Sequence, residues 1–193
     1  SADATDGTTV CSPISAPAET HSAVSVESVS VAFADDFETD QGWTVAGDAG
    51  DGNWDRGIPA GNGYRGDPTL DGDGSGSCFL TDNVNGNSDV DDGVTILTSP
   101  VMDATGTFAT DAVISYYRWY TNDAGGNAAA DIFEVEITND GGENWIAVET
   151  VGPTGNEISG GWVQQMFLVN ELVERTDQMQ IRFTASRSEE HTS

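Results

Sequence analysis

The sequence predicts an all-β fold, a two-sheet sandwich of short strands. Three observations carry that reading. Apolar and polar residues alternate with a period of two in a series of short runs, Gly, Asn and Asp clusters bound those runs, and no helical period persists for three turns. At 193 residues the chain is long enough for one domain with an apolar core, and too short for a propeller of several four-stranded blades.

Residues 1–27, rich in Ser, Ala, Thr and Pro with few large apolar groups, have the composition of a linker. With no initiator Met and no secretory signal, the chain reads as a processed piece of a larger polypeptide that precedes this linker. The sandwich is expected over 28–186. Its strands are expected near 29–37, 43–45, 52–56, 77–82, 94–102, 112–121, 132–139, 145–151, 162–168 and 178–185. In "DIFEVEIT" Ile132, Glu134, Glu136 and Thr138 share one face, and Phe133, Val135 and Ile137 the other. The glutamates belong to water and the apolar groups to the core. In "AVISYYRWYT" Ile114, Tyr116, Arg118 and Tyr120 oppose Val113, Ser115, Tyr117 and Trp119, which predicts a central strand with aromatic groups on both faces.

Charge excludes one class of partner. The chain carries 33 acidic residues against six arginines and no lysine, a net charge of −27, so it repels nucleic acid phosphates and anionic lipid. No run of about eighteen apolar residues is present to insert into a membrane. Composition points to a secreted or cell-surface setting. Of the two cysteines, Cys11 lies in the linker and Cys78 in the sandwich, so a bridge between them is possible without forming a framework.

"TNDGGENW", Thr138 to Trp145, has the Ser/Thr-x-Asp-x-Gly-x-x-Trp spacing of the Asp-box found around sialidase propellers. Asn139, Asp140, Gly141 and Gly142 supply residues that tolerate positive φ, and the Asp140 carboxylate is placed to accept from the turn's own amides. The expected role is that of a hairpin fastener, with Trp145 capping the core.

A larger series follows the strands: "DDFETDQGWTV", "GNWDRGIP", "LTSPVMD", "ISYYRWYTND", "FEVEITNDGGENW", "GGWVQQMFLVNEL" and "QIRFTAS". Over about residues 33–186 it resembles the jelly-roll accessory modules of secreted bacterial proteins, similar in appearance to MAM and cleaved-adhesin domains. The resemblance implies a jelly-roll sandwich that binds rather than catalyses, commonly with structural calcium, and often appended to metallopeptidases or other exported hydrolases. Such modules close with a further acidic strand, and this chain is expected to lack it. "RSEEHTS", 187–193, looks like a translated sequencing adapter and is read as a non-native tail.

Oxygen ligands for calcium are sought in two acidic loops. Asp71 and Asp73 lie in "LDGDGSG", and Asn87, Asp89, Asp91 and Asp92 in "NGNSDVDDG". Neither is an EF-hand, and solvated acidic turns account for the same residues. In the resembling jelly rolls the positions of Asp36 and Glu38 often tie the first strand to a cation. For a ligand, Trp54 and Tyr64 in the Gly-rich stretch "GDGNWDRGIPAGNGYRGD" offer aromatic faces, and Arg56 and Arg65 offer forks for a carboxylate or sugar hydroxyls. The same arginines also suit pairing with neighbouring aspartates.

The expected partner is therefore a glycan or a protein. A hydrolase reading would use Glu134 and Glu136, but their spacing matches the laminarinase-type arrangement poorly, and an exposed alternating face explains them. His21 and His191 fall in the linker and the tail, so no triad or zinc site is expected. A third reading is self-association by strand donation, since "SAVSVESVSVAF" alternates well enough to fill a sheet edge.

Overall fold

The computed structural model describes residues 2–3, 9–10, 30–86, 88–106, 111–123 and 128–186. The chain divides into two units, Ser1–Ser30 and Val31–Ser193. In the first, β1 (Ala2–Asp3) pairs antiparallel with β2 (Thr9–Val10).

Among its described residues the second unit is built from strands joined by loops, with a short 3₁₀ turn at Val169–Glu171. In order they are β3 (Thr44–Gly47), β4 (Trp54–Gly57), β5 (Cys78–Thr81), β6 (Val94–Thr98), β7 (Val113–Arg118), β8 (Ile132–Thr138), β9 (Ile146–Val151), β10 (Val163–Leu168) and β11 (Gln180–Ser186). β3, β6, β11, β8 and β9 form a five-stranded antiparallel sheet in that order, while β10 pairs with β7 and β4 with β5. The fold is all-β, as the alternation predicts.

β8 lies between β11 and β9, and its alternation decides what is inside. Phe133, Val135 and Ile137 are buried and stand in register with Ala185, Phe183 and Ile181 of β11. Ile114 and Tyr116 of β7 and Phe167 of β10 pack against these clusters from the opposite layer. The Tyr116 ring meets Phe183 edge-on at 5.1 Å. Two layers thus close over one interior, with β7 and β10 facing the larger sheet.

Two expectations change. No strand forms over residues 30–37, because the backbone there turns on its own side chains: the Phe37 amide donates to Asp35 Oδ1 at 2.8 Å, and Phe37 itself has φ 60°. β7 is also not central, since among the described residues it pairs only with β10. The outward aromatic groups that predicted a central strand are met instead by a loop. Trp119 Nε1 donates to Gly66 O at 2.8 Å and Trp162 Nε1 to Leu70 O at 2.9 Å. Gly72 lies so close that a Cβ there would fall 2.9 Å from Cβ of Tyr117, so only glycine admits the approach.

Replacing Ile137, which is fully buried, by alanine is expected to lower stability by about 2–5 kcal/mol through lost transfer energy and a cavity. Glu134→Gln on the opposite face is expected to change it by less than about 0.5 kcal/mol. Urea unfolding of the two variants checks the assignment of faces.

Candidate functional site

The residues singled out for ligand binding lie on β4 (Trp54 and Arg56) and in the loop that joins it to β5 (Tyr64 and Arg65), and the structure separates them. Trp54 belongs to the interior: its indole Nε1 donates to Thr95 O and its backbone amide to Thr95 Oγ1, each at 3.2 Å, and its ring meets Phe133 edge-on at 6.4 Å. Arg56 Nη1 donates to Phe37 O at 2.7 Å and so steadies the turn after Asp35. Tyr64 and Arg65 do come together, with the guanidinium 5.9 Å from the ring centroid. Arg65 also reaches Asp89 at 3.8 Å.

Two residues that sequence reasoning missed share this loop. Ile58 and Leu70 are 71% and 75% exposed, and Tyr64 is 71% exposed. Between Ile58, Pro59, Thr69 and Leu70 lies a cleft of about 380 Å³, with Asp71 at its margin. The available signal was two isolated large apolar residues among Gly, Pro and Asp, where no strand period could bury them.

The acidic residues proposed for a cation fall into two places. Asp36, Glu38, Asp71 and Asp73 are brought together, since Ser75 Oγ donates to both Asp36 O and Asp71 Oδ2, at 3.1 and 3.0 Å, and the Ser77 amide donates to Glu38 Oε1 at 2.6 Å. Their carboxylates serve the loop itself. Asp71 Oδ2 accepts from the Gly76 amide at 2.7 Å, a bond that helps hold its pKa below the usual carboxylate value, and Asp73 Oδ1 accepts from the Ser75 amide at 2.9 Å.

In the second place, Asp91 exchanges backbone hydrogen bonds with Asp51 and Asp92 turns the chain at φ 55°, while Asn87 lies outside the described residues. Asp89 sits instead among Asp51, Asp55, Asp67 and Asp82. Burial, and then repulsion from the other four, push the Asp82 carboxyl above its ordinary value. Asp67 accepts through Oδ1 from Ser88 Oγ, and its Oδ2 is buried with no hydrogen-bond partner. Among the described residues no three His, Cys, Asp or Glu side chains converge closely enough to hold a metal as they stand.

The hairpin after β8 is fastened by its own polar atoms. Asp140 Oδ1 accepts from Thr138 Oγ1 at 2.6 Å and from the Asn144 amide at 3.0 Å, and Oδ2 accepts from Asn144 Nδ2 at 2.7 Å. These bonds hold the Asp140 carboxyl well below the usual range. Gly141 takes φ 73° and donates to Gln178 O, tying the turn to the approach of β11. Trp145 does not cap the core. It lies 4.3 Å from the Arg182 guanidinium, which donates from Nε to Glu136 Oε2 at 2.6 Å, so the register places it on the opposite face of the sheet.

Glu134 and Glu136 occupy successive positions on that face, roughly 7 Å apart along the strand. Glu136 is engaged by Arg182, and Glu134 stands in register with Thr184 and Thr150.

An ion-pair network unforeseen in the sequence joins the buried Arg118 to Glu149 and to the exposed Glu157. Arg118, only 4% exposed, donates from Nε and Nη2 to Glu149 Oε1 at 2.9 and 2.7 Å, and Nη2 also donates to Glu157 Oε2. Tyr116 donates to Glu149 Oε2 at 2.8 Å. A bulge opposite Val135 and Glu136 sets Glu149 across from Val135, on the inward side. Burial works against the Arg118 charge, but the two carboxylates outweigh it and raise its pKa. Burial and the Glu149 bond likewise keep the Tyr116 proton in place.

Cys78 carries a buried free thiol, which burial and then the charges of Asp71 and Asp73 push up to about 12. Cys11, the other cysteine of the sequence, lies outside the described residues, as do the rest of the stretch 11–29 and the tail 187–193.

No protein-family model, curated protein or solved structure matches the chain.

Asp140→Ala is expected to destabilise the protein at neutral pH. Because the native carboxyl titrates below its ordinary 3.8, its contribution is present above that value and is lost as the pH falls through the native pKa. The gap in melting temperature between wild type and Asp140→Ala should accordingly close as the pH drops below about 4, and thermal melts across pH 2–7 check it.

Proposed function

We propose that this chain is a non-catalytic, extracellular binding or adhesion module of a larger exported protein, and that the loop between β4 and β5 takes its glycan or protein ligand. The observation that carries the reading is the concentration of exposed apolar groups on that loop. In a chain with 33 acidic residues, Ile58 and Leu70 protrude beside a cleft large enough for a side chain or a sugar ring, and Tyr64 is exposed on the same loop. Arg65, against the Tyr64 ring, adds a fork for hydroxyls or a carboxylate. The likeness to jelly-roll accessory modules of exported bacterial proteins supports the same placement.

The ion pair of Glu136 with Arg182 favours a structural role for the outward glutamates over acid–base work. Binding of wild type to arrayed glycans and extracellular proteins, compared with Tyr64→Ala and Ile58→Ser at unchanged melting temperature, tests the proposal. A loss of at least about tenfold in affinity is expected for both, corresponding to one truncated anchor of about 1.4 kcal/mol or more. Undiminished binding by both variants would move the site elsewhere.

Calcium enters this reading as a stabiliser. Its support is the repulsion that Asp51, Asp55, Asp89 and Asp67 exert on the Asp82 carboxyl, together with the Asp67 Oδ2 that is buried without a hydrogen-bond partner. The carboxylates of Asp71 and Asp73 are already bonded within their own loop. Calcium is thus expected to raise the melting temperature of wild type and of Asp71→Asn, but not of Asp82→Asn. Equal responses from the two variants would remove the Asp82 cluster as the locus.

A further inference from the structure

Asn62, in the loop between β4 and β5, is followed by Gly63, and its side chain is held unlike other asparagines of the chain. Asn83 donates from Nδ2 to Ile58 O at 3.0 Å, Asn122 to Asp131 O at 2.9 Å, Asn139 to Glu174 O at 3.0 Å and Asn144 to Asp140 Oδ2 at 2.7 Å. Asn62 is engaged through its oxygen instead: Oδ1 accepts from the Tyr64 amide at 2.9 Å, while Nδ2 donates to no group among the described residues. A bond from that oxygen to the amide two residues on folds the side chain over the peptide between them, here that of Gly63. Gly63 takes φ 77°, and a Cβ there would meet nothing within 4 Å. Both residues are exposed, so water reaches them.

We propose that Asn62 is a site of spontaneous deamidation, a modification that adds a negative charge to this loop. The Gly63 nitrogen, its proton lost to hydroxide, attacks Asn62 Cγ, and the new N–Cγ bond closes a succinimide ring. The Cγ–Nδ2 bond breaks, and Nδ2 takes a proton from water and departs as ammonia. Charge builds on Oδ1 during the attack, where the Tyr64 amide already points as a donor. A glycine at the attacking position sets no Cβ in the way. Water then adds to one or other ring carbonyl, and the ring opens to aspartate or to isoaspartate at position 62. The sequence consumes water and releases ammonia, with no change of oxidation state.

Either product sets a carboxylate beside Tyr64 and Arg65, which already face one another. Isoaspartate also lengthens the backbone by a methylene next to the exposed Tyr64. The consequence for binding rests on the ligand reading given above: the added carboxylate competes for the Arg65 fork with any carboxylate that a ligand brings. The modification itself is independent of that reading.

Peptide mapping by mass spectrometry, after the folded full chain has stood for several weeks in mildly alkaline buffer, tests the proposal. The peptide bearing Asn62 is expected to gain the mass difference between a hydroxyl and an amino group and to split into two isomers. It should do so ahead of the peptides bearing Asn144 and Asn156, which are exposed but not followed by glycine. Gly63→Ala and Asn62→Gln, the second of which must close a larger ring, should convert at least about tenfold more slowly at this position. Asn62→Asp carries the charge from the start, and should bind carboxylate-bearing ligands on the array more weakly than freshly prepared wild type. Asn62 intact at the end of the incubation, converting no faster than Asn156, or converting at the wild-type rate in Gly63→Ala overturns the proposal. The map needs no ligand, so this result and the ligand reading fail separately.

Discussion

The register of β8 between its two neighbours is the constraint on which the rest of the molecule depends. Phe133, Val135 and Ile137 can all be buried only if Glu134, Glu136 and Thr138 point the other way, and a slip of one residue would exchange the two sets. In a chain this acidic the exchange would bury two carboxylates, which is far costlier than exposing three apolar groups. The alternation therefore specifies the layer arrangement as strongly as it stabilises it, and β7 and β10 have one apolar face left to cover.

Scarcity of positive charge shapes the remainder. Three of the described arginines sit at junctions: Arg56 at the turn after Asp35, Arg118 between β7 and β9, and Arg182 between β8, β11 and the hairpin tryptophan. Where no cation is at hand, carboxylates are satisfied by backbone amides of their own turns, as at Asp71, Asp73 and Asp140. Both devices only touch the group around Asp82, where Arg65 stands 3.8 Å from Asp89 and the Gly52 amide donates to Asp51, while Asp82 itself meets like charge on several sides.

What the sequence makes legible follows from the range of the interaction concerned. The alternation of β8 and the fastening of the Thr138–Trp145 hairpin are local, so their residue types announce them. The run from Val29 to Phe37 alternates equally well, yet Asp35 captures the Phe37 amide and breaks it, a competition between side chain and sheet that periodicity does not weigh. Long-range facts are less visible still. The bulge that turns Glu149 inward toward Arg118 depends on pairing with a partner strand, and the burial of Trp54 depends on Thr95 and Phe133, distant in sequence. Of the residues proposed for ligand contact, Tyr64 and Arg65 remain adjacent, because they are neighbours in a loop that no strand claims.

One loop takes part in two surfaces. The backbone that lines the cleft beside Ile58 also accepts the indole N–H of Trp162 through the Leu70 carbonyl, and Trp162 meets Trp119 edge-on at 5.6 Å. The same short backbone therefore carries both the wall of the cleft and the anchor of an indole on the far side of β10, so a substitution that reshapes it is felt on two surfaces at once.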